Sequence, residues 1–580
     1  MKHALTFLAL SIAVIGGLFA WVVVSNQPRR FAVPMDHSRE LPQGDFYVSA
    51  IVEPKDLNPL TSGDAWALNF VIGYTHDFLM RLSTATGALE PCLAKLVEPS
   101  RDQLSFLFEL RDGLEFSDGS PVTLADVAFT HAVGLVRDVA LGSIADSVRS
   151  VRSFEVVGER RFRITLKERH FTGLAGFATG YRVVKKQWFL DRIAELAHAE
   201  GAEGPVGTQH PEFGRLLGLV QLPGPGTGPY QLAVDTQGDV VWERGQELWL
   251  VQNPRSWHRA VQPRSWNLAG MRLRISGSAQ AVFTELRKEA LDWHMPMDMD
   301  ALLEEVPDLL NKYRRFDYDT PVAGQFFVVW NHARKPLADA RVRRALTMLF
   351  DRNRIAEELF GGSARLARCW FQPRSPEYSE DLLPIDFDPA AARALLAEAG
   401  YGDGREHGPL RIEIVAATEE RYRRILQMAQ ASFENAGVVL QAQLMENTAA
   451  RQRRADGEFD GYMMYWRHSP TGVDPFEFFH SNPSGQTDRH NLMRYRNDAV
   501  DELLRNARAE PDEARRHRMY HRFNRLIHAD QPITFFVHPR NSLLLHRRFQ
   551  AAEPQWKGVT PERFWVAPKD RIHLRGFERR

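Results

Sequence analysis

Apolar residues change their spacing several times along this chain, and the changes mark out its elements. From Arg160 to Leu166 apolar and polar residues alternate, the period of a strand with one buried face. Phe326-Phe327-Val328-Val329-Trp330-Asn331 is instead a continuous apolar run, as in a strand buried on both faces. Beyond it, Asp339 is placed to cap a helix whose Val342, Leu346 and Leu349 share one side. Asp388, Pro389 and Gly400 supply a cap, a first helical residue and a terminator, with Leu395, Leu396 and Ala399 apolar between them. The pattern then alternates in type. Residues 411–417 read as strand, 420–436 as helix closed by Gly437, 438–445 as strand, 448–458 as helix and 459–466 as strand. Strands interleaved with helices predict an α/β unit with a largely parallel sheet. Residues 200–228, dense in Gly and Pro, read as loop, and no internal repeat is evident.

The stretch Leu110 to Val127, LRDGLEFSDGSPVTLADV, is the most informative. Asp112-Gly113 and Asp118-Gly119 are turn dipeptides, because Gly takes positive φ without steric cost. Thr123 followed by Asp126 reads as a helix start, with a carboxylate near the positive helix end. Local physics predicts a hairpin followed by a helix.

At the N-terminus, Lys2 precedes a charge-free apolar run from Ala4 to Val24, followed by Ser25-Asn26-Gln27-Pro28. Such a run reaches the ~20 residues that span a bilayer. It reads as a membrane anchor or a signal segment, the uncleaved anchor being preferred, and either implies export. No cysteine ends the run, which excludes lipoprotein processing.

Composition narrows the function. Lys+Arg and Asp+Glu are equal at 73 each over 580 residues, which argues against a nucleic-acid binder. The two cysteines, Cys92 and Cys369, form no CxxC; a disulfide between them is open in an oxidising compartment, and two buried free thiols are the preferred reading. His517 and His521 stand i, i+4, but without the carboxylate of HExxH they read as a solvated helix face. No nucleophile elbow, P-loop or dinucleotide fingerprint is present, so no catalytic residue, metal or cofactor is expected.

The LRDG stretch closely resembles the signature of the family 5 extracellular solute-binding proteins, the oligopeptide, dipeptide and nickel receptors of ABC importers. Further matches follow in order: Leu57-Asn58-Pro59, Gly87 to Pro91, Gly226-Thr227-Gly228-Pro229-Tyr230, Gln252-Asn253-Pro254, Glu289 to Asp292, and Asp339 to Leu346. They run from about residue 46 to 550.

The resemblance implies an α/β two-lobed periplasmic binding protein (type II, cluster C) with an extra subdomain in lobe 1. Its implied organisation is residues 1–28 anchor or signal, 29–44 linker, 45–80 and 222–319 lobe 1, 81–221 extra subdomain, 320–532 lobe 2, and 533–580 a return to lobe 1. Phe535 to Arg547 would be the returning strand. The implied function is capture of a peptide or peptide-like solute between the lobes and its delivery to an ABC permease, by a monomeric receptor in the periplasm. The alternatives are a membrane-anchored solute sensor and a periplasmic hydrolase. The implied ligand residues are Ser62, Gly63, Asp64 and Ala65 after the first strand, Phe327 and Trp330, and Trp466, Arg467, His468 and Ser469. Many peptide receptors of the family hold the peptide ammonium with an Asp where this chain has Ser469. The expected solute therefore lacks a free ammonium, carries a carboxylate near Arg467, or uses Asp64 as counter-charge. Asp474 reads as a turn cap.

Overall fold

The computed structural model describes residues 44–572 apart from 137–138, 140, 202–205, 297–298, 321–322, 469–471 and 482–490. The expected N-terminal membrane segment and Ser469 lie outside the described residues. Among the described residues no helix is long and apolar enough to cross a membrane.

Two mixed sheets organise the chain. In the first, Phe46–Ile51 is central and runs parallel to Gly270–Ile275, in the register Phe46↔Gly270 to Ile51↔Ile275. The sheet continues through Glu247–Gln252 and Tyr230–Leu232 on one side, and through Trp293–His294, Asn541–His546 and Tyr313–Tyr318 on the other. Its distant pieces are joined by a buried ion cluster. Arg548, 3% exposed, pairs with Asp292 at 2.7 Å and also with Asp45, and its guanidinium donates to the Phe46 carbonyl. Burial opposes the Arg548 charge, but the two carboxylates outweigh it and raise its pKa.

The LRDG region builds a separate antiparallel sheet in the order Ala94–Pro99, Ser105–Leu110, Arg161–Leu166, Val151–Val156. Gly113 and Gly119 have φ of 63° and 87°, the left-handed region that their turns require. The Asp126 carboxylate accepts from the Thr123 backbone N–H at 2.8 Å and from Lys186 N–H at 2.9 Å, so one side chain ties the starts of helices Leu124–Val133 and Lys186–Ala199. Phe108 stacks on Phe162 with centroids 5.1 Å apart. Residues 200–228 are not loop throughout. Phe213–Leu219 is helical and buries Phe213, Leu216 and Leu217; Gly214 and Gly218 hid it in the sequence.

The second sheet is ordered Arg365–Leu366, Ile533–His538, Gly324–Trp330, Gly461–Arg467, Leu410–Ala417, Val438–Met445. Only the last three strands are mutually parallel; Gly324–Trp330 runs antiparallel to both of its neighbours. The expected largely parallel sheet is therefore half right. The interleaved run from 410 to 467 makes the parallel half; the other half is Gly324–Trp330, entering from the first sheet, Ile533–His538, leaving for it, and the short edge strand Arg365–Leu366. Helix boundaries follow their caps: Asp339 accepts from Arg341 N–H at 2.8 Å, Asp388 accepts from Ala391 N–H at 2.9 Å, and Gly400 and Gly437 have φ of 89° and 78°.

The return to the first lobe needs correction. Ile533–His538 pairs within the second sheet, and Asn541–His546 within the first. The boundary lies at Pro539-Arg540, not at 532/533. Pro539 has no N–H to continue a ladder, so the apolar run that reads as one strand is two. The chain thus crosses between sheets twice, between Tyr318 and Gly324 and between His538 and Asn541. Asp319 pairs with Arg365 at 3.0 Å and with Arg540 at 3.4 Å, which ties both crossings together.

Candidate ligand-binding site

A chamber of about 650 Å³ lies in the first lobe, between its sheet, the LRDG subdomain and the C-terminal segment. The helical stretch 65–75 forms one wall. It is started by Asp64, whose Oδ1 accepts from Trp66 N–H at 2.7 Å and Ala67 N–H at 3.1 Å.

Three of the sequence motifs converge beside this wall. A Cβ at Gly226 would lie 1.9 Å from the Thr75 carbonyl oxygen, and one at Gly228 2.4 Å from that of Tyr74. Only glycine allows this approach. The Gly226 carbonyl accepts from Ser117 of the LRDG stretch at 2.8 Å, and the Gly228 carbonyl from Asn253 Nδ2 at 3.0 Å. The approach places Thr227 Oγ1 to accept from Asp77 N–H at 3.2 Å. The Asp77 carboxylate is held by Trp257 Nε1–H at 2.8 Å and His258 Nε2 at 3.1 Å. Burial opposes its ionisation, but the charge and hydrogen bonds of His258, with Trp257 and Thr227, hold the carboxyl below its ordinary pKa.

The rest of the lining is cationic. Arg182 lies over the Phe78 ring at 4.4 Å; burial lowers its pKa to about 10 against the pull of Asp77. Its Nε is buried without an acceptor. Lys557 reaches into the chamber from the C-terminal segment. The residue is exposed, whereas Arg182 is half-buried. Arg81, in contrast, is neutralised between Glu90 at 2.7 Å and Glu562 at 2.9 Å.

The residues expected at the site divide into three groups. Asp64 is a helix cap on the chamber wall, with Ser62 buried beside it and Gly63 and Ala65 exposed. Trp466, half-buried, ends the strand Gly461–Arg467 in an aromatic cluster, with Phe478 at 5.5 Å and Trp370 at 6.4 Å. Arg467 next to it is exposed, whereas His468 is buried edge-on to Trp370 at 5.1 Å, and burial lowers its pKa to about 4. A neutral imidazole brings no anion affinity, so His468 does not join Arg467 as a cation.

The third group is core. Phe327 is fully buried beneath the cluster against Trp370, Phe478 and Phe535. Trp330 is fully buried at the other end of its strand, and its Nε1–H donates to Thr534 Oγ1 at 2.9 Å. Both were read as ligand residues and are packing residues; the continuous apolar run already describes a strand covered on both faces.

A contact between the lobes also went unread. Asp474 caps Phe476 N–H at 3.0 Å, as expected of a turn residue. Its other oxygen meets Arg508 Nε at 2.6 Å and His170 Nε2 of the LRDG subdomain at 3.2 Å. Phe171 N–H donates to the Arg508 carbonyl at 3.0 Å, and Arg516 lies 4.6 Å over the Phe171 ring. Asp77, Arg182, Lys557 and His170 carried no local sequence signal. Only the motif glycines at 226 and 228 pointed toward them, as marks of a close backbone approach.

The chain is 23% identical to the oligopeptide-binding protein AppA of Bacillus subtilis, over 98% of this chain and all of that protein. It is 22% identical to heme-binding protein A of Haemophilus influenzae, over 83% of this chain and 84% of that protein. Its fold matches the structure of AppA in complex with a nonapeptide, with a TM-score of 0.69, 21% identity and coverage of 91% and 100% of the two chains. It also matches NikA from Brucella suis in complex with Fe(III)-EDTA, with a TM-score of 0.73, 18% identity and coverage of 90% and 100%. The family model "Bacterial extracellular solute-binding proteins, family 5 Middle" matches residues 88–488, and the chain belongs to that family.

Proposed function

We propose that the protein is the substrate-binding receptor of an ABC importer, holding a peptide or other small solute between its lobes and presenting it to a membrane permease. The observation that carries this reading is the chamber in the first lobe, combined with the paired crossings between the sheets and the His170–Asp474 contact between the lobes. A solute seated in the chamber and touched by the second lobe stabilises the closed arrangement, because only contacts made to both lobes shift that equilibrium. Trp466 is the second-lobe residue best suited to this, offering an apolar face and one donor. Asp64 is engaged in capping, which leaves it poorly suited to serve as a peptide's counter-charge. The protein acts as a monomer outside the cytoplasm, and the apolar N-terminal run serves as its tether or export signal.

Native mass spectrometry of the full-length protein purified from its own membranes tests the reading. A small solute released on denaturation, with small-angle scattering that contracts when it is added back, is the expected result. A preparation that carries no solute and does not contract with peptides, metal chelates or haem overturns it.

A further inference from the structure

The edge of a sheet is open to pairing unless something blunts it, and this protein blunts its edges unevenly. In the first sheet, Tyr313–Tyr318 at one end carries Arg314, Arg315 and Asp317, and Tyr230–Leu232 at the other is three residues long. The LRDG sheet ends in Ala94–Pro99, with Lys95, Glu98, a proline and a register shift, and in Val151–Val156, with Arg152, Glu155 and a second shift. The second sheet ends on one side in the two-residue strand Arg365–Leu366. Its other end is Val438–Met445, VVLQAQLM, eight residues without a charge, a proline or a register shift.

Only one side of that strand is used. The Met445 carbonyl accepts from Thr418 N–H at 2.7 Å, on the side of the neighbouring strand Leu410–Ala417. Backbone groups alternate in direction along a strand, so Leu440, Ala442 and Leu444 turn their N–H and C=O outward. Among the described residues no strand pairs with them there. Gln441, Ala442 and Gln443 are exposed in succession, so neither face is covered at the middle of the strand.

The order of residues indicates what fits this edge. Leu440-Gln441-Ala442-Gln443-Leu444 reads the same in both directions. Two such strands laid antiparallel about a twofold axis at Ala442 set Gln441 opposite Gln443, Leu440 opposite Leu444 and Val439 opposite Met445. The hydrogen-bonded positions then fall at Leu440, Ala442 and Leu444, where the outward groups lie. The glutamines share one face, where their amides can pair as donor and acceptor, and no like charges meet. Such a contact is isologous and closes at two copies.

We propose that Val438–Met445 is a self-association edge, through which the second lobes of two copies join their sheets about a twofold axis. Each copy keeps its own chamber in the first lobe, so the single chain remains the unit that binds solute. One strand edge per copy is less contact than a stable interface needs. The pairing is therefore weak in dilute solution and favoured where copies crowd on one membrane.

Two cysteine variants of the full-length protein test the register. Gln441→Cys and Gln443→Cys put thiols directly opposite each other only between unlike copies, at a non-hydrogen-bonded pair within disulfide reach. The native thiols of Cys92 and Cys369 are buried. Mixed and oxidised, the two variants should give a disulfide-linked dimer about tenfold faster, or more, than either alone, because like positions stand diagonally across the pair. Sedimentation of the wild type should show a concentration-dependent dimer. Gln441→Lys combined with Gln443→Lys opposes like charges and should raise the concentration of half-association about tenfold or more, with thermal melts confirming folded protein. No association of the wild type, association that the paired lysines leave unmoved, or cross-linking as fast within each variant as between them overturns the proposal.

Discussion

In the first lobe the chamber is walled by charge. Asp77, His258, Arg81, Arg182, Lys557 and Glu562 come from segments far apart in sequence, and the close backbone approach at Gly226 and Gly228 sets Thr227 against Asp77. In the second lobe, the surface at the end of Gly461–Arg467 is aromatic, and its buried histidines are neutral. The difference suits a receptor that closes. Buried charges must be fixed before the solute arrives, because a loose ion in a low-dielectric wall loses what it gains to desolvation. An aromatic face needs no such fixing and tolerates varied partners on closure. The charged wall should therefore set the solute's chemical class, and the aromatic wall the strength of closure.

The largest expected effects test whether charge or packing holds each lobe. Arg548→Met removes the buried cation that Asp45 and Asp292 share, and should cost about 3–5 kcal/mol in urea denaturation. A loss below about 1 kcal/mol would show that the ion cluster is incidental to the first lobe. In the second lobe, Phe327→Ala should cost about 3–5 kcal/mol as a core truncation. Trp466→Ala should cost less stability but weaken solute binding tenfold or more. If Phe327→Ala alters binding while Trp466→Ala does not, the division between wall and core is wrong.

Gly226→Ala sharpens the first-lobe side of the comparison. The added methyl meets the Thr75 carbonyl and should cost about 1–3 kcal/mol. It should also weaken solute binding, because it displaces Thr227 from Asp77. Unchanged affinity in a destabilised variant would separate the glycine contact from the site.

Acid should affect the second lobe through its histidines. Burial lowers His468 to about 4 and His538 to about 3, from the ordinary 6.5, with each other's charge adding to the effect at His538. Below pH 6.5 the unfolded chain takes up protons that the folded chain refuses. Stability should therefore be complete above pH 6.5, fall as the pH drops toward 4, and level off near 3. His538→Gln should flatten part of that slope between pH 7 and 5, and an unchanged slope would place the acid sensitivity elsewhere. The smallest effect is expected at Asp339→Ala. Loss of the cap should cost about 0.5–2 kcal/mol and leave solute preference as it was. A changed preference at native stability would make Asp339 more than a cap.

Local chemistry made much of the fold legible. Asp339, Asp388, Gly400 and Gly437 mark helix ends wherever they stand, and the alternation at 161–166 is that of a strand with one buried face. Phe213–Leu219 escaped because two glycines dilute its pattern. The mixed sheet escaped because strand direction depends on where the chain has come from. Trp466 was legible as an aromatic near the end of a strand. Trp330 was misplaced because a run buried on both faces looks the same near a cleft as far from one.

By itself, the sequence determined the order of motifs, most element boundaries and the family, all properties of residues near one another in the chain or of residue type; that Cys92 and Cys369 are free and buried was decided by the structure. The tertiary structure alone decided the crossing at Pro539-Arg540, the His170–Asp474 contact between lobes and the cationic chamber. The physical reason is separation. Asp77 and Arg182 acquire their chemistry from neighbours about a hundred or more residues away. No local pattern records which charge will find which partner.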